Sequence, residues 1–352
     1  MLLLKQNARL HSALRLPFFC NDMCYVRFYE ESLRLYRDLS QDLDFNILYS
    51  ERGHFTLAHT DAAMRTSRWR AEVNKHLGVD SELIYPDDIA RLCPSLNMSD
   101  DVRYPILGAL YHPPGSIARH DAVAWGYAAR ASHMGVEIHQ QTPVTGLIIQ
   151  NGKVKGVQVP GGAIGAGQVL QAVAGMTSVV AKMAGFKLPI RTIPLQACVS
   201  VPLKPFLDQI IVSGSLHVYV SQSSRGELVM GGSTEPYGLY STRSTLGFKE
   251  GLLGHMLELL PMLGEVKILR QWAGMADMTP DFSPVMGLTP IENYYIDSGW
   301  GTWGFKATPV CGKTMAYTIA NNKPHELIEP FSLERFLTYT QVGEKGAASV
   351  GH

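Results

Sequence analysis

The sequence predicts a mixed α/β protein in which two domains are each assembled from separated stretches of chain, and three observations carry that expectation. The chain has 352 residues, beyond the ~100–200 residues common for one domain. Segments of helical periodicity alternate with short apolar strands and tight turns instead of segregating into an all-helical and an all-strand half. Two blocks carry a strand–glycine–helix step, around Gly175 and around Gly299, and a strand-rich block lies between them. No repeat of fixed period and no low-complexity segment interrupts that order.

Tyr25, Phe28, Leu33, Leu35, Tyr36, Leu39 and Leu43 recur mostly at three- and four-residue spacings, which predicts a helix over 25–43 with one apolar face. His54 to His59 reads as a short strand, Asp61 to His76 as a helix, and Pro86-Asp87-Asp88 as the opening of another. Ile106 to Tyr111 is a strand closed by Pro113-Pro114-Gly115. The alanine-rich stretch Ala118 to Met134 predicts a helix, followed by a strand at Val136 to His139. Val144 to Gln150 and Lys153 to Val159 flank Asn151-Gly152, whose tolerance of positive φ predicts a hairpin. Val169 to Ala174 is an apolar strand ending at Gly175, with a helix from Thr177 to Ala184 behind it. Residues 194–234 and 264–277 are strand-rich, separated by a helix from Thr245 to Leu260. Tyr294 to Asp297 is a last strand, and Thr308 to Asn321 a last helix.

Composition narrows the function. Lys and Arg number 31, as do Asp and Glu, for a formal charge of 0. A nucleic-acid or anionic-membrane partner is therefore not expected. With 46% hydrophobic and 18% charged residues the chain has the makeup of a globular protein. The opening Met1-Leu2-Leu3-Leu4-Lys5 is too short for a signal-peptide core. The uncharged stretch toward Ala181 is broken by Pro160 and glycines and reads as turns and a buried strand. Five cysteines, Cys20, Cys24, Cys93, Cys198 and Cys311, suit reduced thiols and a cytoplasmic location, and Cys20 and Cys24 lack the second pair that a metal site requires.

Gly299-Trp300-Gly301-Thr302-Trp303-Gly304 fits G-x-G-x-x-G after a strand and before a helix. The chain offers one helix after it where a dinucleotide site needs a complete βαβ unit, so a pyrophosphate cradle is not expected there. The remaining readings are a glycine turn with two packing tryptophans, or a close backbone approach to a flat ligand at which the helix N-terminus and Lys306 favour negative charge. His120 in Arg119-His120-Asp121 falls in a helix's first turn, where the dipole and Arg119 disfavour its protonated form; the sequence predicts a neutral, nucleophilic imidazole. Asp277 and Asp281 read as turn formers. No hydrolase elbow, zincin motif or P-loop is present.

Together, Ala118 to Gly126, Gly299 to Pro309 and His217 to Gln222 resemble the β subunits of heterotetrameric sarcosine oxidases, within the amino-acid-oxidase-like flavoproteins. The resemblance extends to Leu39 to Leu43, Met183 to Phe186, Pro194 to Ala197 and the tail Gly346 to Ala348. It implies a two-domain FAD-dependent amine oxidase fold, with an FAD domain at 1–50, 117–188 and 283–345 and a substrate domain with a mixed sheet at 51–116 and 189–282. It implies non-covalent FAD held by Val144, Gly175, Gly299, Gly301, Thr302, Gly304, Phe305 and Lys306. It further implies FMN linked covalently to His120 beside Arg119, and a substrate carboxylate clamped by Lys306 and Arg15. The implied reaction is oxidative demethylation of sarcosine, with electrons passing from FAD to FMN and oxygen, and with α, γ and δ subunits as partners.

The N-terminal strand, glycine fingerprint, helix and acidic ribose ligand of that family have no counterpart here, so the N-terminal βαβ unit is missing. A longer natural chain beginning upstream of Met1 is the favoured expectation. The alternatives are a non-catalytic truncated assembly subunit and a dehydrogenase of a related N-methyl amino acid such as dimethylglycine.

Overall fold

A computed structural model describes residues 13–14, 23–235 and 237–342. Arg15, Cys20 and the tail Gly346 to Ala348 lie outside the described residues. Seven α-helices are described: α1 Met23–Asp42, α2 Asp61–His76, α3 Pro86–Leu92, α4 His120–His133, α5 Thr177–Met183, α6 Leu246–Leu259 and α7 Gly304–Asn321. Their starts follow local chemistry. Thr60 and Thr245 cap α2 and α6 by accepting from Ala63 N and Phe248 N, and Pro86 opens α3, where its missing N–H costs nothing.

The largest sheet has eight strands in the order Ile268–Met278, Arg191–Ser200, Leu228–Thr234, Val218–Gln222, Ile210–Ser213, His54–Ala58, Gly108–His112 and Glu82–Ile84. Two distant stretches of chain meet where Ile210–Ser213 runs parallel to His54–Ala58, in the register Ile211 to Phe55. The other neighbours are antiparallel. One core buries Phe55, Leu57, Ile89, Ile211, Val220 and Met230 with Met256 and Leu259 of α6, because strand residues of one parity and one stripe of the helix are apolar.

A second layer is built on three strands, with Val169–Gln171 parallel to Tyr294–Ser298, which pairs antiparallel with Val285–Leu288. α1 and α7 pack with it around Tyr25, Phe28, Leu170, Tyr295, Val310 and Phe331. The hairpin Gly146–Gln150 and Lys153–Val159 turns at Asn151 (φ 52°) and Gly152 (φ 74°), as the Asn-Gly pair predicts. Among the described residues no helix is long and apolar enough to cross a membrane.

Four expectations need correction. Val136 to His139 forms no strand; among the described residues no ladder lies beside it, and Val136 and Ile138 are exposed. The strand at 169 stops at Gln171, because Ala174 takes φ 44° and opens a 3-10 turn into α5. An unforeseen strand, Gly162–Gly165, pairs with Lys153–Val159. α7 begins at Gly304, not Thr308, and carries Pro309 inside it. The bond that Pro309 cannot make would have ended on the Phe305 carbonyl, which instead accepts from Tyr36 Oη at 2.6 Å and Thr308 Oγ1 at 2.8 Å.

Candidate active site

The loop Gly299 to Trp303 joins the strand Tyr294–Ser298 to α7 and is seated on the end of the strand Ile268–Met278. Gly299 has φ +76°, and a Cβ there would stand 2.7 Å from Thr279 Cγ2; Gly301 has φ +51°, and a Cβ would stand 2.6 Å from Met278 Sδ. Both positions therefore demand glycine for conformation and for closeness. From the other side α1 supports the loop through residues one and two turns apart. Phe28 stacks on Trp300 at 6.0 Å, Ser32 Oγ donates to the Lys306 carbonyl at 2.5 Å, and Tyr36 holds Phe305.

Two carboxylates fix the loop. Asp277, 2% exposed, accepts from Gly299 N at 2.6 Å and Gly301 N at 3.3 Å, and its own carbonyl accepts from Gly301 N at 3.1 Å. Burial pushes its pKa up to about 6, opposed by the amide donors and assisted by the charge of Asp297. Asp297 accepts from Trp300 Nε1 at 2.6 Å, and burial pushes it up to about 6 as well. Asp277, expected to be a turn former, instead lies at the end of a strand and holds the loop. Asp281 is not one either, since it forms an ion pair with Arg335 at 2.7 Å, each side chain 2% exposed.

Lys306 is 3% exposed on the first turn of α7, and its Nζ stands 4.0 Å from the ring centroids of both Tyr29 and Trp303. Its charge is stabilised between two aromatic faces. The Trp303 indole N–H, on a residue 8% exposed, has no hydrogen-bond acceptor among the described residues. A buried donor without an acceptor costs about 1–3 kcal/mol, so the pair Trp303 and Lys306 is chemically suited to an anionic oxygen. α7 also begins without a side-chain cap, leaving its first amides and the positive dipole end for a ligand. These residues fit the electron-rich edge of a flavin ring. Thr302 and Gly304 belong to the same turn, and Phe305 packs into the cluster of Tyr36, Leu43, Ala118 and Val123.

That cluster joins the loop to the start of α4. His120 is the first residue of α4, as expected of a first-turn histidine, and Arg119 is its N-cap. Arg119 does not present an unbalanced charge to the imidazole, because it donates two bonds to Asp121 at 2.7 and 2.8 Å. The expected field at His120 thus comes from the helix end, with the Arg119 charge compensated. Gly175 allows a backbone contact of another kind, since a Cβ would lie 2.4 Å from Met275 Cβ, and its carbonyl accepts from Thr192 Oγ1 at 2.7 Å. Val144 packs beside the small sheet with Val154 and Tyr294. Arg15 lies outside the described residues.

Sequence reasoning missed Tyr29, Ser32, Asp277 and Asp297. The signal on α1 was present in the spacing of Phe28, Ser32 and Tyr36, which places all three on one helical face.

This geometry, a glycine loop leading into an uncapped helix with a buried lysine, is that of a flavin-dependent oxidoreductase. The family model for FAD dependent oxidoreductases (DAO) matches residues 7–318, and the chain belongs to that family. Among curated proteins it is 46% identical over 324 residues to sarcosine oxidase subunit β of Arthrobacter sp, covering 92% of this chain and 80% of that protein. It is 42% identical to the sarcosine oxidase subunit β of Rhodobacter capsulatus, covering 92% and 78% respectively. Among solved structures, L-proline dehydrogenase from P. horikoshii superposes with a TM-score of 0.87 at 26% identity, covering 94% of this chain and 87% of that one. The mixed α/β flavoprotein fold expected from the sequence is therefore the fold observed.

Proposed function

We propose that this chain is the catalytic subunit of a sarcosine-oxidising flavoenzyme that works with α, γ and δ partner subunits. The carrying observation is Lys306, an ammonium group buried between Tyr29 and Trp303 directly behind the glycine loop. FAD bound against the α7 N-terminus would supply the acceptor for hydride from the N-methyl carbon, with electrons leaving through FMN to oxygen as hydrogen peroxide. The protein's residues do the rest. Lys306 pairs with the substrate carboxylate, joined in this reading by Arg15, and the buried Trp303 N–H adds a neutral donor. Holding the carboxylate fixes the N-methyl carbon, so that orientation supplies much of the rate. Tyr29 and Trp303 exclude water around the ammonium and strengthen its pull. The oxidised product hydrolyses to glycine and formaldehyde, or passes its carbon to tetrahydrofolate.

In this reading the substrate domain comprises 51–116 and 189–282, and the FAD domain the remaining blocks at 1–50, 117–188 and 283–345. His120 carries FMN covalently at the surface where α4 begins, which makes that surface the contact with the α subunit. Val144, Gly175, Gly299, Gly301, Thr302, Gly304 and Phe305 line the FAD site.

The test combines turnover with mass. Purified with its partner subunits, the wild-type protein consumes oxygen with sarcosine and carries one FMN mass on the tryptic peptide containing His120. Lys306→Met lowers kcat/KM for sarcosine by about a hundredfold, the value of a charge-assisted contact. Faster turnover of dimethylglycine than of sarcosine would reassign the substrate, and an unmodified His120 peptide would remove the FMN assignment.

A further inference from the structure

The residue that sets the glycine loop in place is drawn from the opposite side of the site. Asp277 is the penultimate residue of the strand Ile268–Met278, in the eight-stranded sheet, whereas Gly299 to Trp303 belong to the turn that starts α7. One side chain therefore connects the two layers at the point where a flavin ring would meet its substrate. The connection uses both backbone and side chain, because Gly301 N reaches the Asp277 carbonyl at 3.1 Å and its carboxylate at 3.3 Å, while Gly299 N reaches the carboxylate at 2.6 Å. Three consequences follow from these contacts. The amides of Gly299 and Gly301 are turned toward the sheet, away from any ligand. The peptides that follow, at the first turn of α7, are thereby aimed outward. And the loop has no slack, since Thr279 and Met278 lie within 2.7 Å and 2.6 Å of the Cβ positions at Gly299 and Gly301.

We propose that Asp277 is a positioning residue of the flavin site: by binding the Gly299 and Gly301 amides it sets the direction of the α7 N-terminus and so the place of Lys306. It touches neither substrate nor flavin in this assignment and acts through the loop. Asp297 acts in the same turn on Trp300, so the loop is tied at three successive residues by two acidic side chains. The cost is evident in the chemistry, because among the described residues this carboxylate, 2% exposed, is held by amide dipoles and by no arginine or lysine. An amide side chain at 277 can accept at one atom only and would turn N–H groups against one of the two glycine donors.

This inference rests on the sarcosine-oxidising reading for its kinetic arm and on the FAD family alone for its spectral arm. The experiment compares wild type with Asp277→Asn, and with Asp277→Ser as a smaller uncharged variant, each purified with the partner subunits. In the spectral arm, FAD titration should show affinity weakened about tenfold and the visible flavin bands shifted, with the far-ultraviolet circular dichroism unchanged. In the kinetic arm, kcat and kcat/KM for sarcosine should both fall about tenfold to a hundredfold, because a displaced Lys306 loosens the carboxylate whose capture orients the N-methyl carbon. Flavin bands, FAD affinity and kcat all matching wild type would overturn the assignment. So would loss of fold in both variants with no flavin-bound form recovered, since that marks a purely structural residue. If wild type does not oxidise sarcosine, the functional reading fails by itself, and the spectral arm still decides the role of Asp277.

Discussion

Asp277 and Asp281 stand one helical turn apart in sequence, at the end of one strand and in the turn that follows, and both are almost wholly buried. They are held in opposite ways. Asp281 is met by an arginine: Arg335 gives it two bonds, at 2.7 and 3.0 Å, and adds bonds to the carbonyls of Phe331, Ser332 and Ser283. Asp277 is met by two glycine amides. In the first case charge is neutralised by charge, and the C-terminal segment through Val342 is fastened to the body of the protein. In the second the charge is left to dipoles, and its pKa rises to about 6. A fastening that only has to hold can use an ion pair; a loop that must face a cofactor is held by an arrangement that places peptides.

The largest effect that would break this contrast is at Arg335. Arg335→Met leaves the buried Asp281 without its partner, and should lower stability by about 3–5 kcal/mol in urea unfolding, while the double variant Asp281→Leu with Arg335→Met recovers part of it. A single variant as stable as the double would show that the pair holds nothing. The next effect has the opposite sign and lies on the loop side. Asp297 has a folded pKa raised to about 6, so the stability of its neutral form is fully present below the unfolded pKa of about 4 and is lost as pH rises through about 6. Asp297→Asn should therefore be more stable than wild type by about 1–2 kcal/mol above pH 7, with the difference vanishing near pH 4 in calorimetric scans. A difference that grows toward low pH would refute the raised pKa. The smallest effect lies between the two aspartates. Thr279 Oγ1 donates to the Ser283 carbonyl at 2.8 Å, and Thr279→Val should cost about 1 kcal/mol without moving the flavin spectrum.

Much of this molecule was legible from local chemistry. Asn151-Gly152 specifies its own turn, Pro86 its own helix start, and the apolar spacing from Tyr25 to Leu39 its own buried face. The glycine loop and Lys306 were also visible as a pattern, together with the preference for negative charge at the start of α7. What could not be read depends on partners far along the chain. Pro309 argues locally against a helix, and the carbonyl it leaves over is satisfied in part by Tyr36, from a distant helix, beside the local hydroxyl of Thr308. Asp277 looks like a turn residue until Gly299 and Gly301 are folded onto it. Val136 and Ile138 have strand-forming side chains, yet a strand needs a neighbour, and none stands beside them among the described residues.

The pairing of His54–Ala58 with Ile210–Ser213 has a consequence for how the chain is made. During synthesis the strands near residues 54 and 108 leave the ribosome early, with their hairpin-like contacts available, but one edge of that small sheet has no mate until residue 213 has emerged. Chains elongate over seconds at this scale, far longer than local collapse takes. The apolar face of Phe55 and Leu57 must wait in an unfinished state, which makes this edge the natural place for a chaperone to act and for nascent chains to associate wrongly.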